Sequence, residues 1–282
     1  MSGLLPAYAL LHPAARLGWG YFSVHWSTVI GLAALQALYE WRVRVHIATG
    51  ASAEERAGPS PARRASFTGA LLVMFVTLNG PLHDLSDYYL FSAHMVQHLI
   101  LSLAVPPMLL FGAPGWMLRP ALALPGVRAA ATRVSGARAA FLIFNVTVAA
   151  WHLPPLYNLA MAYHPIHIAQ HVMFLVTATI MFWPLMSSLP ELPGLPYPGQ
   201  MLYCFLMTIP MSIVAVYVTM ADHVLYPAYS AAPRVWGLTP LNDQQLGGLI
   251  MWVPGGLFFL LVASVVFFKW SASGAADDGA GR

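Results

Sequence analysis

The stretch AAFLIFNVTVAAWHLPPLYNLAMAYHPIHIAQHVMFLVTATIMFWPLMSSLP, residues 139–190, carries no residue with a fixed charge. A membrane helix needs about 20 apolar residues to cross a hydrocarbon core about 30 Å thick. The stretch is more than twice that long, and Pro154-Pro155 divides it, because proline interrupts a helix. It therefore predicts two membrane spans, at about 137–153 and 165–186.

The same test on the flanking sequence, between charged residues, predicts five further spans. Pro106-Pro107 lies inside one of them and should kink it or end its regular part. The predicted fold class is thus all-α: a polytopic integral membrane protein with a seven-transmembrane-helix bundle. Residues 1–270 form one membrane domain, and the small, polar segment 271–282 is expected to be a disordered cytoplasmic tail. The five further spans are at about 21–39, 65–82, 90–112, 199–221 and 240–268.

The composition agrees with a chain that lies in membrane lipid. Of the 282 residues, 59% are hydrophobic and 8% are charged, whereas soluble domains carry about 25% charged residues. The net charge of +3 is too small to indicate nucleic acid as a partner. The one cysteine, Cys204, excludes intrachain disulfides, zinc ribbons, CxxC redox motifs and iron–sulfur clusters with cysteine ligands.

Basic residues are distributed unequally between the two sides of the predicted bundle. Of the 13 Lys and Arg residues, Arg16 and Arg234 fall on one side and the others on the opposite side. Because basic loops stay in the cytoplasm, this asymmetry places the N-terminus outside and the C-terminus in the cytoplasm.

Histidines concentrate at the outer side. Of the 11 histidines, only His46 falls on the cytoplasmic side. Two HxxxH pairs each share one helix face, and if the two helices face each other they form a nitrogen-rich pocket. A site that combines imidazole and thioether ligands suits copper, in particular Cu(I). Two acidic residues on the same side would tune or guide the ion. The predicted ligands are His94, His98, His167 and His171, the further candidates are His164, His152, His223 and Met95, and the acidic residues are Asp243 and Asp222.

Some of these residues also have a structural interpretation. A single histidine near a helix end is commonly an interfacial hydrogen-bonding residue, and His12 and His25 are interpreted in that way. Thr239-Pro240 resembles a helix N-cap followed by proline at the first helical position. Asp243 then lies in the first turn, where its charge favours the helix dipole. Gly247, Gly248, Gly255 and Gly256 follow and form a surface where a neighbouring helix can approach closely.

Four segments resemble the multi-pass CtaG family of cytochrome c oxidase assembly factors. The resemblance covers roughly residues 20–270 and implies maturation of a haem-copper oxidase by copper delivery, with an oxidase subunit as partner, in the bacterial inner membrane. It implies no catalytic turnover, and oligomerisation with itself is left open. On this resemblance His94, His98, His167, His171 and Asp243 take the matching motif positions. The segments are HMVQHLILSLAVPPMLLFGAP (94–114), WHLPPLYNLA (151–160), HIAQHVMFLVTATIMFWPL (167–185) and NDQQLGGLIMW (242–252).

The alternative function is a membrane redox protein that binds haem b or quinone. Haem b takes axial histidines from facing helices. Here the histidines lie in the outer half of the predicted bundle, so they could hold haem at one depth of the membrane only. A transporter ranks third, because almost no charge lies near the predicted midplane. The only lysine, Lys269, lies at the cytoplasmic end of its span, which argues against a retinal protein. No GxSxG or HExxH motif of a hydrolase is present.

Overall fold

A computed structural model describes residues 23–280, and within that range the chain is helical and contains no β-strand. The predicted all-α class is therefore confirmed. A π-helical segment, Ile100–Ala104, joins α5 and α6. The helices are α1 (Trp26–Thr49), α2 (Ala53–Ala57), α3 (Pro61–Thr77), α4 (Gly80–Tyr88), α5 (Phe91–Leu99), α6 (Val105–Gly112), α7 (Gly115–Leu122), α8 (Val127–Ser135), α9 (Ala137–His152), α10 (Pro154–Ala162), α11 (His164–Met186), α12 (Tyr197–Thr219), α13 (Pro227–Ala231) and α14 (Pro240–Ala280).

Among the described residues, four helices are long and apolar enough to cross a membrane, and the number rises to six if two bent pairs each form one span. The pairs are α3 with α4, bent by 48°, and α8 with α9, bent by 81°. The protein is thus a multi-pass membrane protein by length and composition, while the count of seven and the orientation stay predictions. The four helices are Phe91–Gly112, His164–Met186, Tyr197–Thr219 and Pro240–Ser273.

The first predicted span, 21–39, is not among these helices. Residues 1–22, with His12, Arg16 and the N-terminus, lie outside the described residues. Helix α1 carries Glu40, Arg42 and Arg44 in its second half. Its uncharged part, residues 26–39, is about 21 Å long at 1.5 Å per residue, which is shorter than a hydrocarbon core of about 30 Å.

Proline divides the uncharged stretch 139–190 as predicted. Helix α9 ends at His152, and Leu153 is extended, with φ −67° and ψ 131°. The residue before a proline avoids the helical region, because the proline ring collides with its backbone. Pro154 then starts the short helix α10, and α11 begins only at His164.

The proline pair in the third span distorts the helix without ending it. Proline has no N–H, so Pro106 and Pro107 cannot donate the regular hydrogen bonds of an α-helix. The preceding turn is π-helical, and the N–H of Val105 donates to the carbonyl oxygen of Ile100. Because a π-turn adds one residue, it rotates the part of the helix before it relative to the part after it.

The helices pack around a buried apolar core and leave large apolar side chains on the outside. Phe144, Phe174, Met181, Met207 and Phe259 are all at most 2% exposed. Exposed side chains along the same helices include Leu142, Val146, Ile213 and Leu261. Exposed apolar surface of this extent is typical of a surface that contacts lipid.

Helix α14 begins as the sequence predicts. Its first residue is Pro240, and Thr239 accepts a hydrogen bond at its Oγ1 from the N–H of Asn242, 3.2 Å away. The helix continues to Ala280, past residue 270, where the sequence analysis ends the membrane domain. Residues 281 and 282 of the predicted tail lie outside the described residues.

At Gly248 the glycine surface of α14 lets α12 approach closely, as predicted, whereas at Gly256 the described residues show no such approach. A Cβ added at Gly248 would lie 2.9 Å from the backbone N of Thr219 and 3.1 Å from the carbonyl oxygen of Ala215. We expect Gly248→Ala to lower the free energy of unfolding by about 1–3 kcal/mol, because backbone on α12 must move. The measurement is the thermal unfolding midpoint of the protein in detergent.

Gly256→Ala is the matched control on the same helix. Among the described residues, nothing lies within 4 Å of a Cβ added at Gly256. Alanine forms helix better than glycine by about 1 kcal/mol, so this variant should unfold at the wild-type midpoint or slightly above it. Equal midpoints for the two variants would contradict close packing at Gly248.

Candidate metal site

Three elements bring the histidines together at one end of the bundle. His94 and His98 lie in the first turns of α5, His167 and His171 in the first turns of α11, and His83 in α4. The rings of His94 and His167 stack across the two helices with centroids 5.3 Å apart. The rings of His98 and His171 are 5.2 Å apart. The two HxxxH helices thus face each other through their imidazoles.

The donor atoms form two groups of three that share His94. One group, the shallow triad, consists of Asp87, His94 and His167. The other, the deep triad, consists of His94, His98 and His171. In each triad one donor atom per residue lies within 4.8 Å of the others. Imidazole nitrogens lie about 2.0–2.1 Å from a bound ion, so nitrogens in a trigonal site are about 3.5 Å apart. Small side-chain rotations would therefore let either triad hold one ion.

Several imidazole nitrogens in this cluster have no protein partner. Both ring nitrogens of His94 and of His98 are buried without a hydrogen bond among the described residues. His94 is 0% exposed and His98 is 6% exposed. A buried polar group without a partner costs about 1–3 kcal/mol, so these nitrogens need a partner, which an ion or a water molecule can supply.

Asp87 supplies a carboxylate that the sequence analysis did not select as a ligand. Its Oδ2 lies 3.4 Å from Nε2 of His83 and 3.5 Å from Nδ1 of His167. Its side chain is 8% exposed. The spacing could have revealed it, because His83 and Asp87 are four residues apart on one helix, as in the two HxxxH pairs.

Gln97 and Ser86 orient the residues around Asp87. The Nε2 amide of Gln97 donates to the carbonyl oxygen of Thr77, 2.9 Å away, and lies 3.2 Å from Nδ1 of His83. An amide nitrogen only donates, so Nδ1 of His83 accepts and its Nε2 carries the proton. The nearest carboxylate to that Nε2 is that of Asp87, 3.4 Å away, although the two atoms do not meet hydrogen-bond geometry. The Ser86 hydroxyl lies 3.0 Å from Oδ1 of Asp87.

His167 and His171 are hydrogen-bonded to each other. Their Nε2 atoms are 2.8 Å apart. One ring must therefore donate an N–H while the other accepts with its lone pair. Nδ1 of His171 is buried without a hydrogen-bond partner among the described residues.

Two buried tyrosines form a wall beside His94. The ring of Tyr157 lies 5.5 Å from that of His94, and its hydroxyl is 3.0 Å from the hydroxyl of Tyr229. Tyr229 donates in turn to the carbonyl oxygen of Ser86, 2.8 Å away. Burial raises the pKa of Tyr229 well above its ordinary value, so the hydroxyl is neutral at physiological pH. The two rings thus cover one side of His94, which both triads share.

Two of the further histidine candidates border this cluster but belong to neither triad. His152 is buried, with Nδ1 2.7 Å from the carbonyl oxygen of Val148, and its ring is 6.4 Å from that of His98. His164 is exposed, and its ring is 6.3 Å from that of His25. His25, interpreted from the sequence as an interfacial residue, packs edge-on against His83 at 4.4 Å.

Three other candidates have different surroundings in the structure. Met95 is 0% exposed and packs in an apolar cluster with Phe91 and Tyr157. Asp222 and His223 are exposed and pair with each other, with Oδ1 and Nδ1 2.6 Å apart. Spacing along the chain could not separate these residues from the triads, because only the packing of the helices decides which side chains converge.

Asp243 holds the helix that carries His94 and His98. Its carboxylate accepts from the backbone N–H of Phe91 at 2.7 Å, and from the N–H and hydroxyl of Ser92 at 3.1 and 2.5 Å. These N–H groups belong to the first turn of α5, which has no side-chain cap of its own. Asp243 thus caps α5 from another helix instead of pointing into a triad.

The glutamine after Asp243 fixes the loop beyond α12. Gln244 accepts at Oε1 from the N–H of Leu225, 2.7 Å away, and its Nε2 donates to the carbonyl oxygen of His223 at 3.2 Å. The contacts described for the motif D-Q-Q-x-G-G at 243–248 thus hold the fold together. They join α14 to α5, to α12 and to the loop after α12.

Comparison with known proteins gives one family. Residues 37–273 match the family described as cytochrome c oxidase caa3 assembly factor, Caa3_CtaG. Similar curated proteins are uncharacterized proteins of Mycobacterium bovis and Mycobacterium tuberculosis, each 27% identical over 198 residues, which is 64% of this chain and 30% of the relative. One from Mycobacterium leprae is 23% identical over 220 residues, or 72% of this chain and 33% of the relative. The chain thus spans about a third of the length of these relatives. No solved structure matches it significantly.

Proposed function

Since this chain belongs to the family of cytochrome c oxidase caa3 assembly factors, we propose that it binds copper as cargo in the histidine cluster and supports its insertion into a haem-copper oxidase subunit. The family description implies association with an oxidase and suggests a role without catalytic turnover. Capture and hand-over of an ion would be such a role. The observation that carries the proposal is the convergence of imidazoles from two helices, in which both nitrogens of His94 and of His98 have no hydrogen-bond partner in the part of the chain that the structure describes.

The donor set favours copper in its monovalent state. The deep triad consists of three imidazoles, which bind as neutral ligands, and imidazole suits copper as well as zinc. The energy needed to bury an ion rises steeply with its charge, so a buried neutral pocket favours Cu(I) over a divalent ion. Three nitrogen ligands also leave the coordination shell open, so a partner's ligand can attack the ion and take it over.

The packing of the rings favours a single ion over haem b. Centroid distances between neighbouring imidazoles in the cluster range from 4.2 Å for His94 and His98 to 5.9 Å for His94 and His171. A porphyrin between two axial histidines needs a flat slot wider than this spacing leaves. Haem b is therefore the alternative outcome of the optical measurement in the direct test.

The proposed place of action is the periplasmic face of the bacterial inner membrane. The exposed apolar side chains of the long helices would contact lipid. The cluster lies at the helix starts of α5 and α11, within reach of a partner at the membrane surface. The oxidase subunit would dock on this face or beside it in the membrane.

The direct test is copper analysis and an optical spectrum of the protein purified in detergent. We expect about one copper ion per chain after loading with Cu(I), and no absorbance near the Soret band. A Soret band with stoichiometric iron would replace this proposal with the haem alternative. Protein that binds neither metal would reject a resident or transported ion altogether.

The cellular test is deletion of the gene. Oxidase activity in membranes should fall several-fold, because copper does not reach the enzyme at the normal rate. Added copper in the medium should partly restore activity if delivery is the lost step. Full activity in the deletion strain would point to another client, and loss that copper does not relieve would favour a scaffolding role.

A further inference from the structure

The donors of the two HxxxH motifs divide between two triads instead of converging on one point. We propose that the shallow and deep triads are alternative positions for a single ion, and that the shallow triad, with Asp87, is the position from which the ion is exchanged. This inference rests on the proposed function, since it requires that the cluster binds copper. It adds a transfer step within the site and gives Asp87 a role.

While His167 and His171 are hydrogen-bonded to each other, only one of the two rings can bind an ion. A neutral imidazole has one N–H and one lone pair. The ring that accepts at Nε2 has used its lone pair, and its Nδ1 carries the proton. The ring that donates at Nε2 keeps a free lone pair at Nδ1. While the bond of 2.8 Å persists, either His171 can complete the deep triad or His167 the shallow one. A change from one arrangement to the other passes the shared proton between the two Nε2 atoms, while Nδ1 of one ring releases a proton and Nδ1 of the other takes one up, so the pair gains or loses no proton overall.

His94 belongs to both triads and can hold the ion while the other two ligands change. His98 and His171 lie four residues beyond His94 and His167 in their helices, which is about 6 Å along the axis. An ion that moves this distance exchanges two ligands and retains one. Stepwise exchange avoids a bare ion in an apolar core, which would cost far more than a change of ligand.

The shallow triad is connected to the surface by further imidazoles. Asp87 contacts His83, and His83 contacts His25, with ring centroids 4.4 Å apart. His25 is half-buried and lies 6.3 Å from the exposed ring of His164. Outside the two triads, the described imidazole next to the deep triad is that of His152, which is buried. The carboxylate also attracts a cation, so the ion is expected to enter and leave through the shallow triad.

The experiment measures Cu(I) binding and release by the full-length protein in detergent, without oxygen, with a colorimetric Cu(I) chelator as acceptor. Wild-type protein should saturate at one ion per chain. Asp87→Asn replaces the carboxylate of the shallow triad by a neutral, weaker amide donor and leaves the deep triad unchanged, so release to the chelator should slow by about 10-fold or more. His98→Gln removes a donor from the deep triad only, so release should become about 10-fold faster or more.

Two control variants match these changes. Asp84→Asn alters a carboxylate on the same helix that bonds Ser23 and belongs to neither triad. His46→Gln alters the histidine at the opposite end, which stacks on Trp116 at 3.7 Å. Both should release copper within about twofold of the wild-type rate, since neither donor set changes.

The outcomes separate the two proposals. Two copper ions per chain at saturation would overturn the proposal that the triads are alternative positions for a single ion. Equal release rates for Asp87→Asn and Asp84→Asn would overturn the exchange role of Asp87, although copper binding itself would stand. Wild-type protein that binds no copper would instead reject the proposed function and this inference together.

Discussion

His94→Leu should reduce the copper content of the purified protein from about one ion per chain to less than about 0.1, because both triads lose their shared donor. The same variant should unfold at the same temperature as copper-free wild type, or higher. Leucine has a similar volume, and it removes two buried nitrogens that have no hydrogen-bond partner among the described residues. Replacing an unsatisfied polar group by an apolar group of the same shape can be neutral or stabilising.

This combination of results distinguishes a ligand from a structural histidine. A structural His94 would lose stability when replaced, and copper content would then fall because the protein unfolds. The measurement is metal analysis together with the thermal unfolding midpoint of copper-free protein. His46→Leu provides the control for copper content, since His46 lies at the other end of the bundle. Undiminished copper in His94→Leu would exclude both triads as the site.

Asp243→Asn should lower the free energy of unfolding by about 3–5 kcal/mol, because its buried carboxylate accepts three hydrogen bonds. Asparagine keeps the shape but turns one acceptor into a donor that faces another N–H. At least one of the N–H groups of Phe91 and Ser92 is then left unpaired in a buried environment. The thermal midpoint should fall by about 10 °C on the scale measured for domains of this size.

Asp84→Asn is the comparison for this second prediction. Asp84 is half-buried and accepts one hydrogen bond, from the hydroxyl of Ser23 at 2.6 Å. Its replacement should cost less than about 1.5 kcal/mol. Copper bound by Asp243→Asn should also weaken, because α5 carries His94 and His98. A variant with normal stability but no copper would show that Asp243 is a ligand after all, against the contacts seen here.

Much of the site could be predicted from spacing alone. Residues four apart share a helix face, so each HxxxH pair had to present two rings together. His94 with His98, and His167 with His171, lie on facing helices in the structure. Asp87 lies four residues after His83 and could have been found by the same rule. Gln97 could not, because its role depends on contacts with α3 and α4 that spacing does not encode.

The same limit explains the residues that lie elsewhere. Asp222, His223 and Asp243 all fall at helix ends on the predicted outer side, and the sequence alone does not show which of them is buried. In the structure Asp222 and His223 are exposed, whereas Asp243 is 1% exposed and caps α5. Burial and hydrogen bonding at a helix end depend on which neighbour covers it, and that neighbour is distant in the chain.

The sequence by itself determined a helical membrane protein with breaks at proline, because apolar length and the missing proline N–H are local properties. It also determined that each HxxxH pair shares a face, since helical periodicity sets that geometry. Only the tertiary structure decided that four histidines divide into two triads with Asp87, and that Asp243 is a cap. Those features depend on the rotation and approach of separate helices, which side-chain packing between them controls.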